Sequence, residues 1–313
     1  MSPPGVGRFL RRRRFLGQLP RIVAARLRAR DRRPAVFVGL MGGIGDLVNV
    51  FPTLERLAAA YAVDLGTGGG ACALLARHDP YVRDVYAPFV YKPIRRAHRR
   101  LIERVLSPFY RRVLLLDEPD GAWRARARHM SAVYAERCGC APPARGAVYL
   151  DAAARARAAA WLRARGIQDF VYVTQLVRRS RPLRSWPLPH YHALCAMLRA
   201  RYGLPVLVDT VGSDERAVAD GAIPLDALDI LTAAAIIERA RLYVGPDTGP
   251  THIAGALGVP TLAIHVGHPP EICGALGERV ILVRQARPLD DPARTTPEQV
   301  MAALDQHRLV EAS

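Results

Sequence analysis

Two successive runs of alternating strand and helix signals, each containing a glycine-rich turn at a strand end, predict an α/β protein made of two doubly wound parallel sheets. Length agrees with that division. At 313 residues, half of them hydrophobic, the chain can fill two cores of ~150 residues each. Ligands of such sheets bind at the carboxyl ends of the strands, where both glycine-rich turns fall.

The elements follow in order. Residues 8–33, RFLRRRRFLGQLPRIVAARLRARDRR, intersperse Phe9, Leu10, Phe15, Leu16, Leu19, Ile22, Val23 and Leu27 among arginines with one acid, Asp31. This is the pattern of a basic amphipathic segment on an anionic membrane surface, broken into two pieces by Gly17 and Pro20. Residues 1–33 are therefore expected to be a basic arm that docks on lipid and adds little to the fold. Residues 34–150 read as the first domain, with strands at Ala35–Leu40, 63–65, Val82–Tyr86 and 113–116. A helix is expected over 47–61, with Pro52 as a kink or a late first-turn residue. The basic stretch 92–112, KPIRRAHRRLIERVLSPFYRR, has apolar residues at roughly helical spacing. It fits either a solvated helix with its apolar side in the core or a flap facing an anionic lipid acceptor. Residues 151–166, rich in alanine and arginine and ended by Gly166, read as a connecting helix.

The second domain, 167–296, restarts the pattern: strands at 170–174, 205–209, 242–245, 261–266 and 280–283, with helices at 190–202, 227–239 and 252–257. A last helix, Pro297–His307, opens the terminal segment 297–313.

Net charge is +17, nearly all from arginine, which favours polyanionic partners or phosphorylated substrates. The five cysteines are scattered, odd in number and form no zinc set, so they read as reduced cytosolic thiols. No apolar run approaches the ~20 residues of a membrane span, and the first residues lack the apolar core of a signal peptide.

The most informative stretch is 242–265, LYVGPDTGPTHIAGALGVPTLAIH. A strand gives way to a helix through Asp247, Thr248, Gly249, Pro250 and Thr251, so first-turn N–H groups and a positive helix dipole meet at a strand end. A phosphate fits there, with Gly249 allowing close approach and threonine hydroxyls adding donors. The plainer reading makes Asp247 or Thr248 an N-cap. The first glycine turn, GLMGGIGD, is a different device. Val48 stands where a dinucleotide fingerprint needs its third glycine, no Lys-Ser/Thr follows, and Asp46 would repel a phosphate. A carboxylate at such a helix start either caps the helix or serves as a base. The segment Asp117 to Asp120, DEPD, reads as a surface turn rather than a metal motif.

Three blocks resemble the glycosyltransferase family of bacterial heptosyltransferases, family 9: GLMGGIGDLVNVFPTLERL (39–57), RSWPLPHYHALCAML (184–198), and the stretch from 225 onward that contains D-T-G-x-x-H-x-A-x-A-L-G-x-P-T. The resemblance implies a GT-B fold, two Rossmann-like domains facing a cleft, the first on the acceptor side and the second binding a nucleotide sugar. It implies an inverting, metal-independent transfer of heptose from ADP-heptose to a lipopolysaccharide-core or other surface-glycan acceptor. Asp46 would be the general base, with Gly43 and Gly45 in the acceptor-side loop. Asp247, Thr248, Gly249, Thr251 and His252 would hold the donor, Thr174 would add a phosphate contact, and Glu215 would lie near the ribose. Arg184 stands where the family often carries a lysine and would take up charge on the leaving group. The run HVGHPPEICGALG after Ile264 departs from the family, so His265 and His268 inherit no role. No cofactor, metal or nucleic acid is implied; the expected partners are the donor, the glycan or glycolipid acceptor and an anionic membrane surface, at the cytoplasmic face. The alternatives are another nucleotide sugar or, in another class, a non-catalytic nucleotide-sugar or polyanion-binding module.

Overall fold

A computed structural model describes residues 15–29, 31–89, 96–117, 128–225 and 228–307. Residues 1–14 of the basic arm, 92–95 of the second basic stretch, 118–120 of the DEPD segment, position 227 and the tail 308–313 lie outside the described residues. The chain divides into two compact units, Met1–Pro143 and Ala144–Ser313, each an α/β body of its own.

The first unit contains α1 (Leu19–Arg28), β1 (Ala35–Leu40), α2 (Ile44–Ala58), β2 (Ala62–Thr67), α3 (Ala71–Arg77), β3 (Val82–Tyr86), α4 (Arg96–Leu106), β4 (Arg112–Leu115) and α5 (Met130–Cys138). Its four strands are parallel in the order β3-β2-β1-β4. Strand β1, AVFVGL, is buried at every position, as a central parallel strand must be when both faces are covered. Helix α2 starts at Ile44 and runs through Pro52, so that proline is neither a first-turn residue nor a boundary.

An aromatic cluster fills one side of this sheet. Phe37 lies 5.0 Å from Phe89 and 5.3 Å from Tyr110 between ring centres, and Gly66 on β2 has no room for a Cβ beside Phe37 and Phe89. The expectation that residues up to 33 add little to the fold fails here. Phe15 packs edge-on against Phe89 at 5.3 Å, Ile22 is fully buried, and Arg26 bonds the Phe109 carbonyl while lying over the Tyr110 ring. The basic stretch resolves the same way: Ile102 and Leu106 of α4 join this cluster, and Arg99 turns back to the carbonyls of Leu115 and Asp117. Both helices thus bury an apolar stripe and leave arginines outside.

The second unit contains α6 (Ala152–Arg163), β5 (Val171–Thr174), α7 (Leu188–Tyr202), β6 (Val206–Asp209), β7 (Ile223–Pro224), α8 (Ile230–Ile237), β8 (Leu242–Pro246), α9 (Gly249–Ala256), β9 (Thr261–His265), α10 (Pro270–Cys273), β10 (Val280–Arg284) and α11 (Pro297–His307). Six parallel strands are ordered β10-β9-β8-β5-β6-β7. Asp151 caps α6 through the Ala154 N–H, and α6 is tied to the α8 region by Arg155–Glu238 and Arg157–Thr232 contacts. Trp186, fully buried, donates its indole N–H to the Thr295 carbonyl at 2.6 Å and packs edge-on against Tyr191. The W-P block is therefore an anchor for the loop before it.

Replacing Ile22 by alanine should cost ~3 kcal/mol of stability, the usual cost of emptying a fully buried site. Chemical denaturation measures it; a change below about 0.5 kcal/mol would return α1 to the status of a detachable arm.

Asp79, buried between α3 and β3, supplies a second prediction. Burial pushes its carboxyl up to about 7, aided by Glu55, while the Tyr81 N–H acts the other way. The folded state therefore holds this proton more tightly than the unfolded chain, so the group favours folding below the ordinary 3.8 and loses that contribution as pH rises towards about 7. Asp79→Asn should raise the thermal midpoint at about pH 8 and leave it nearly unchanged at about pH 4. Equal shifts at both pH values would contradict the account.

Candidate functional site

In each sheet the strand order reverses once. In the first unit it does so between β1 and β4, in the second between β5 and β8. Loops that leave two such neighbouring strands part to opposite faces and open a crevice at their carboxyl ends. The predicted residues other than Glu215 fall at these two places.

In the first unit Asp46 lies in the first turn of α2, just after β1. Its Oδ2 accepts the Gly43 N–H at 2.7 Å and its Oδ1 accepts the Tyr134 hydroxyl at 2.9 Å. A Cβ on Gly42 would stand 2.4 Å from Oδ2, so the close fold-back of the carboxylate requires glycine there. Gly45 lies within the helix's first turn. Asp46 thus does cap the helix, and its half-exposed carboxylate is fixed by two neutral donors. From β4, Asp117 reaches across the crevice and accepts the Met41 N–H. It is only 5% exposed, which corrects the reading of a surface turn at this residue. Tyr134 ionises only far above its ordinary range, first because it is buried and then because Asp46 and Asp117 face it, so it stays a neutral donor.

In the second unit α9 begins at Gly249, three residues before the predicted start, with Thr248 as N-cap and Pro250 in the first turn. No side chain caps this helix start; the Thr248 hydroxyl turns to the Pro246 carbonyl at 3.3 Å. Asp247 sits in front of it. Arg184 approaches Asp247 Oδ2 at 3.6 Å, His252 Nε2 approaches Oδ1 at 3.6 Å, and the Cys273 thiol lies 3.4 Å from Oδ2. Burial by itself would raise the Asp247 carboxyl, but His252, His265 and Arg184 outweigh it and hold it at about 2. The carboxylate stays ionised and holds Arg184 beside it.

Thr174 and Thr251 are brought together by a different group. The buried Tyr243 hydroxyl donates to Thr174 Oγ1 at 2.8 Å and lies 3.0 Å from Thr251 Oγ1, which also bonds the Pro246 carbonyl. Both hydroxyls are therefore engaged in the wall of the site. Glu215 stands apart on the loop after β6, where its carboxylate lies 3.9 Å from Arg179 and its carbonyl accepts from Gln175. The neighbouring Asp214 accepts the Arg179 N–H at 2.8 Å.

The loop after β5 concentrates positive charge. Arg178 has its ionisation lowered, first by partial burial and then by Arg181 and Arg184 nearby. Three like charges at a strand end, beside an uncapped helix start, make a receptor for an anion. Sequence reasoning missed Tyr134, Tyr243, Arg178 and His265. Only Arg178 carried a local signal, the arginine run R-R-S-R-P-L-R at 178–184.

With this geometry in place, comparison with known proteins is informative. The family model described as glycosyltransferase family 9 (heptosyltransferase) matches residues 147–301. Among solved structures, the family 9 glycosyl transferase of Veillonella parvula DSM 2008 superposes with a TM-score of 0.66 at 14% identity, covering 89% of this chain and 98% of that one. E. coli ADP-heptose LPS heptosyltransferase II gives 0.60 at 14% identity, with 87% and 98% covered. E. coli heptosyltransferase WaaC with ADP gives 0.58 at 15% identity, with 87% and 99% covered. At such identities these likenesses show the fold, the GT-B type with its Rossmann-like domains. A search among curated proteins finds no match. The family model lies over the second unit and its Asp247 site, and places that part of the chain in glycosyltransferase family 9.

Proposed function

We propose that the enzyme transfers heptose from ADP-heptose to a hydroxyl of a lipopolysaccharide-core or other surface-glycan acceptor, inverting the anomeric carbon and using no metal. The observation that carries this reading is the ionised, buried Asp247 at an uncapped helix start ringed by Arg184 and His252. Such a site suits a nucleoside diphosphate: the N–H groups at Thr248 and Gly249 and the arginines after β5 take the phosphate oxygens, and Asp247 keeps Arg184 in place. Thr174 and Thr251 support that surface through Tyr243, and Glu215 is assigned to the ribose. As the bond to ADP breaks, charge grows on the leaving phosphate beside Arg184 and the helix start, where it is stabilised most. Asp46 accepts the proton of the acceptor hydroxyl as that oxygen bonds to the anomeric carbon. The structures of E. coli WaaC with ADP and with ADP-2-deoxy-2-fluoro heptose lend support.

The proposed membrane contact lies on α1 and α4, which share one apolar cluster. Their outer side carries exposed Arg21, Arg28, Arg100 and Arg104, and Leu16 and Leu27 stand 47% and 80% exposed beside them. Among the described residues no helix is long and apolar enough to cross a membrane. Arginines over an anionic surface add ~1 kcal/mol each at low salt.

Two experiments test these assignments. Calorimetry with ADP, UDP, GDP and their sugar conjugates should select ADP-heptose, and Asp46→Asn should retain that affinity while turnover falls by ~100-fold. Gly42→Ala, which must displace Asp46, should lose turnover in the same direction. Full activity in Asp46→Asn would leave the residue a helix cap. For the membrane, Arg21→Glu combined with Arg28→Glu and Leu27→Asp should abolish flotation with phosphatidylglycerol vesicles without moving the thermal midpoint. Undiminished flotation would move the contact elsewhere.

A further inference from the structure

Beyond the anion site, the second unit contains a cavity of about 610 Å³ at the carboxyl ends of β9 and β10. His265 and Gly267 form the edge nearest the anion site: His265 is close enough to Asp247 to lower its carboxyl, and Gly267 lies so close to the Arg184 stem that a Cβ there would stand 2.9 Å from Cγ. The cavity therefore begins where the arginine that faces the diphosphate ends.

Its lining has a definite chemistry. Arg284 is paired with Glu271 and Arg294 with Asp290, so both cations that line it are already neutralised. Gln285 gives its amide N–H to the Asp290 carbonyl at 3.0 Å and leaves Oε1 buried without a hydrogen-bond partner. His265, 2% exposed, meets the His268 backbone, and burial lowers its ionisation despite that bond and Asp247. A neutral imidazole offers one donor and one acceptor. A phosphate, which only accepts, could not satisfy Gln285 Oε1 and would meet two carboxylates. Pro269, Pro270, Ala286 and Pro288 supply the apolar lining, with no Phe, Tyr or Trp to stack on a nucleobase. Clustered hydroxyl groups, each donor and acceptor, match paired charges, an open acceptor and a neutral imidazole together.

We infer that this cavity receives the glycosyl group of the nucleotide-sugar donor, with Gln285, His265 and the Arg294–Asp290 pair reading its hydroxyls. The inference rests on the donor reading above and adds the residues that select the sugar. It places sugar choice in the run after Ile264 and in the β10–α11 segment.

Calorimetry with ADP and with ADP-heptose, on wild type, Gln285→Leu and Ala286→Trp, tests it. Gln285→Leu removes the open acceptor; Ala286→Trp fills the cavity from an exposed position. Both variants should bind ADP as wild type does, while the preference for ADP-heptose over ADP falls by about tenfold, the scale of one or two lost hydrogen bonds. Wild-type preference in both variants overturns the assignment, as does an equal loss of ADP and ADP-heptose binding. Wild-type enzyme that binds ADP but gains nothing from the sugar overturns the cavity assignment and leaves the nucleotide site standing. Wild-type enzyme that binds neither overturns both.

Discussion

A buried carboxylate must be compensated, and at the end of β8 that requirement organises the second unit. Asp247 is held ionised although burial opposes it, so the chain has to bring a cation and hydrogen-bond donors to it from separate elements. Arg184 comes from the loop after β5, His252 from the first turn of α9, and the Cys273 thiol from α10. Trp186, two residues beyond Arg184, locks that loop by a hydrogen bond to Thr295 and an aromatic contact with Tyr191. Gly267 is small because the Arg184 stem passes it. A parallel sheet whose strand order reverses between β5 and β8 puts these loops within reach of one another. Without that reversal the arginine and the aspartate would leave the sheet on the same side of neighbouring crossovers, and no crevice would form between them.

The first unit solves a different problem with the same topology. Its crevice between β1 and β4 is lined by neutral donors: the Gly43 N–H and the Tyr134 hydroxyl bond Asp46, and the Met41 N–H bonds Asp117. Behind it, the aromatic cluster around Phe37 recruits α1 and α4. The described part of the segment that sequence composition marks as a lipid-docking basic arm therefore contributes to the core. An arginine-rich segment can bury a narrow apolar stripe, here Phe15 and Ile22, while its charged groups remain outside.

Strands and site turns were legible in the sequence because buried parallel strands read as continuous apolar runs and glycine-rich turns break them sharply. Thus Ala35–Leu40 and Val82–Tyr86 stand where the pattern places them. Helix starts were less legible. Pro250 looks like part of a turn, yet a proline in the first turn costs no hydrogen bond, so α9 starts at Gly249. Pro52 lies inside α2, where propensity argues against it and packing of the buried face against the sheet prevails. The carboxylates and Arg184 could be named from local motifs. Tyr134 could not, because it meets Asp46 from 88 residues away, and Tyr243 looks like any strand tyrosine until its hydroxyl is found between Thr174 and Thr251.

The two aspartates show how surroundings divide labour between identical groups. Each follows a buried strand and a glycine turn and stands at a helix start, so sequence position alone does not say which could take a proton. Asp247 is ringed by Arg184, His252 and His265, and its carboxyl titrates at about 2, which makes it a poor proton acceptor at neutral pH. Its service is electrostatic: it fixes Arg184, the cation that would face a diphosphate. Asp46 is half-exposed and is oriented by an N–H and a phenolic O–H, neither of which carries charge. Those two bonds occupy one lone pair on each oxygen and leave the others directed outward. Orientation by two neutral donors holds the carboxylate in place with lone pairs still open to a proton, and that geometry is the physical ground for assigning the proposed base to Asp46.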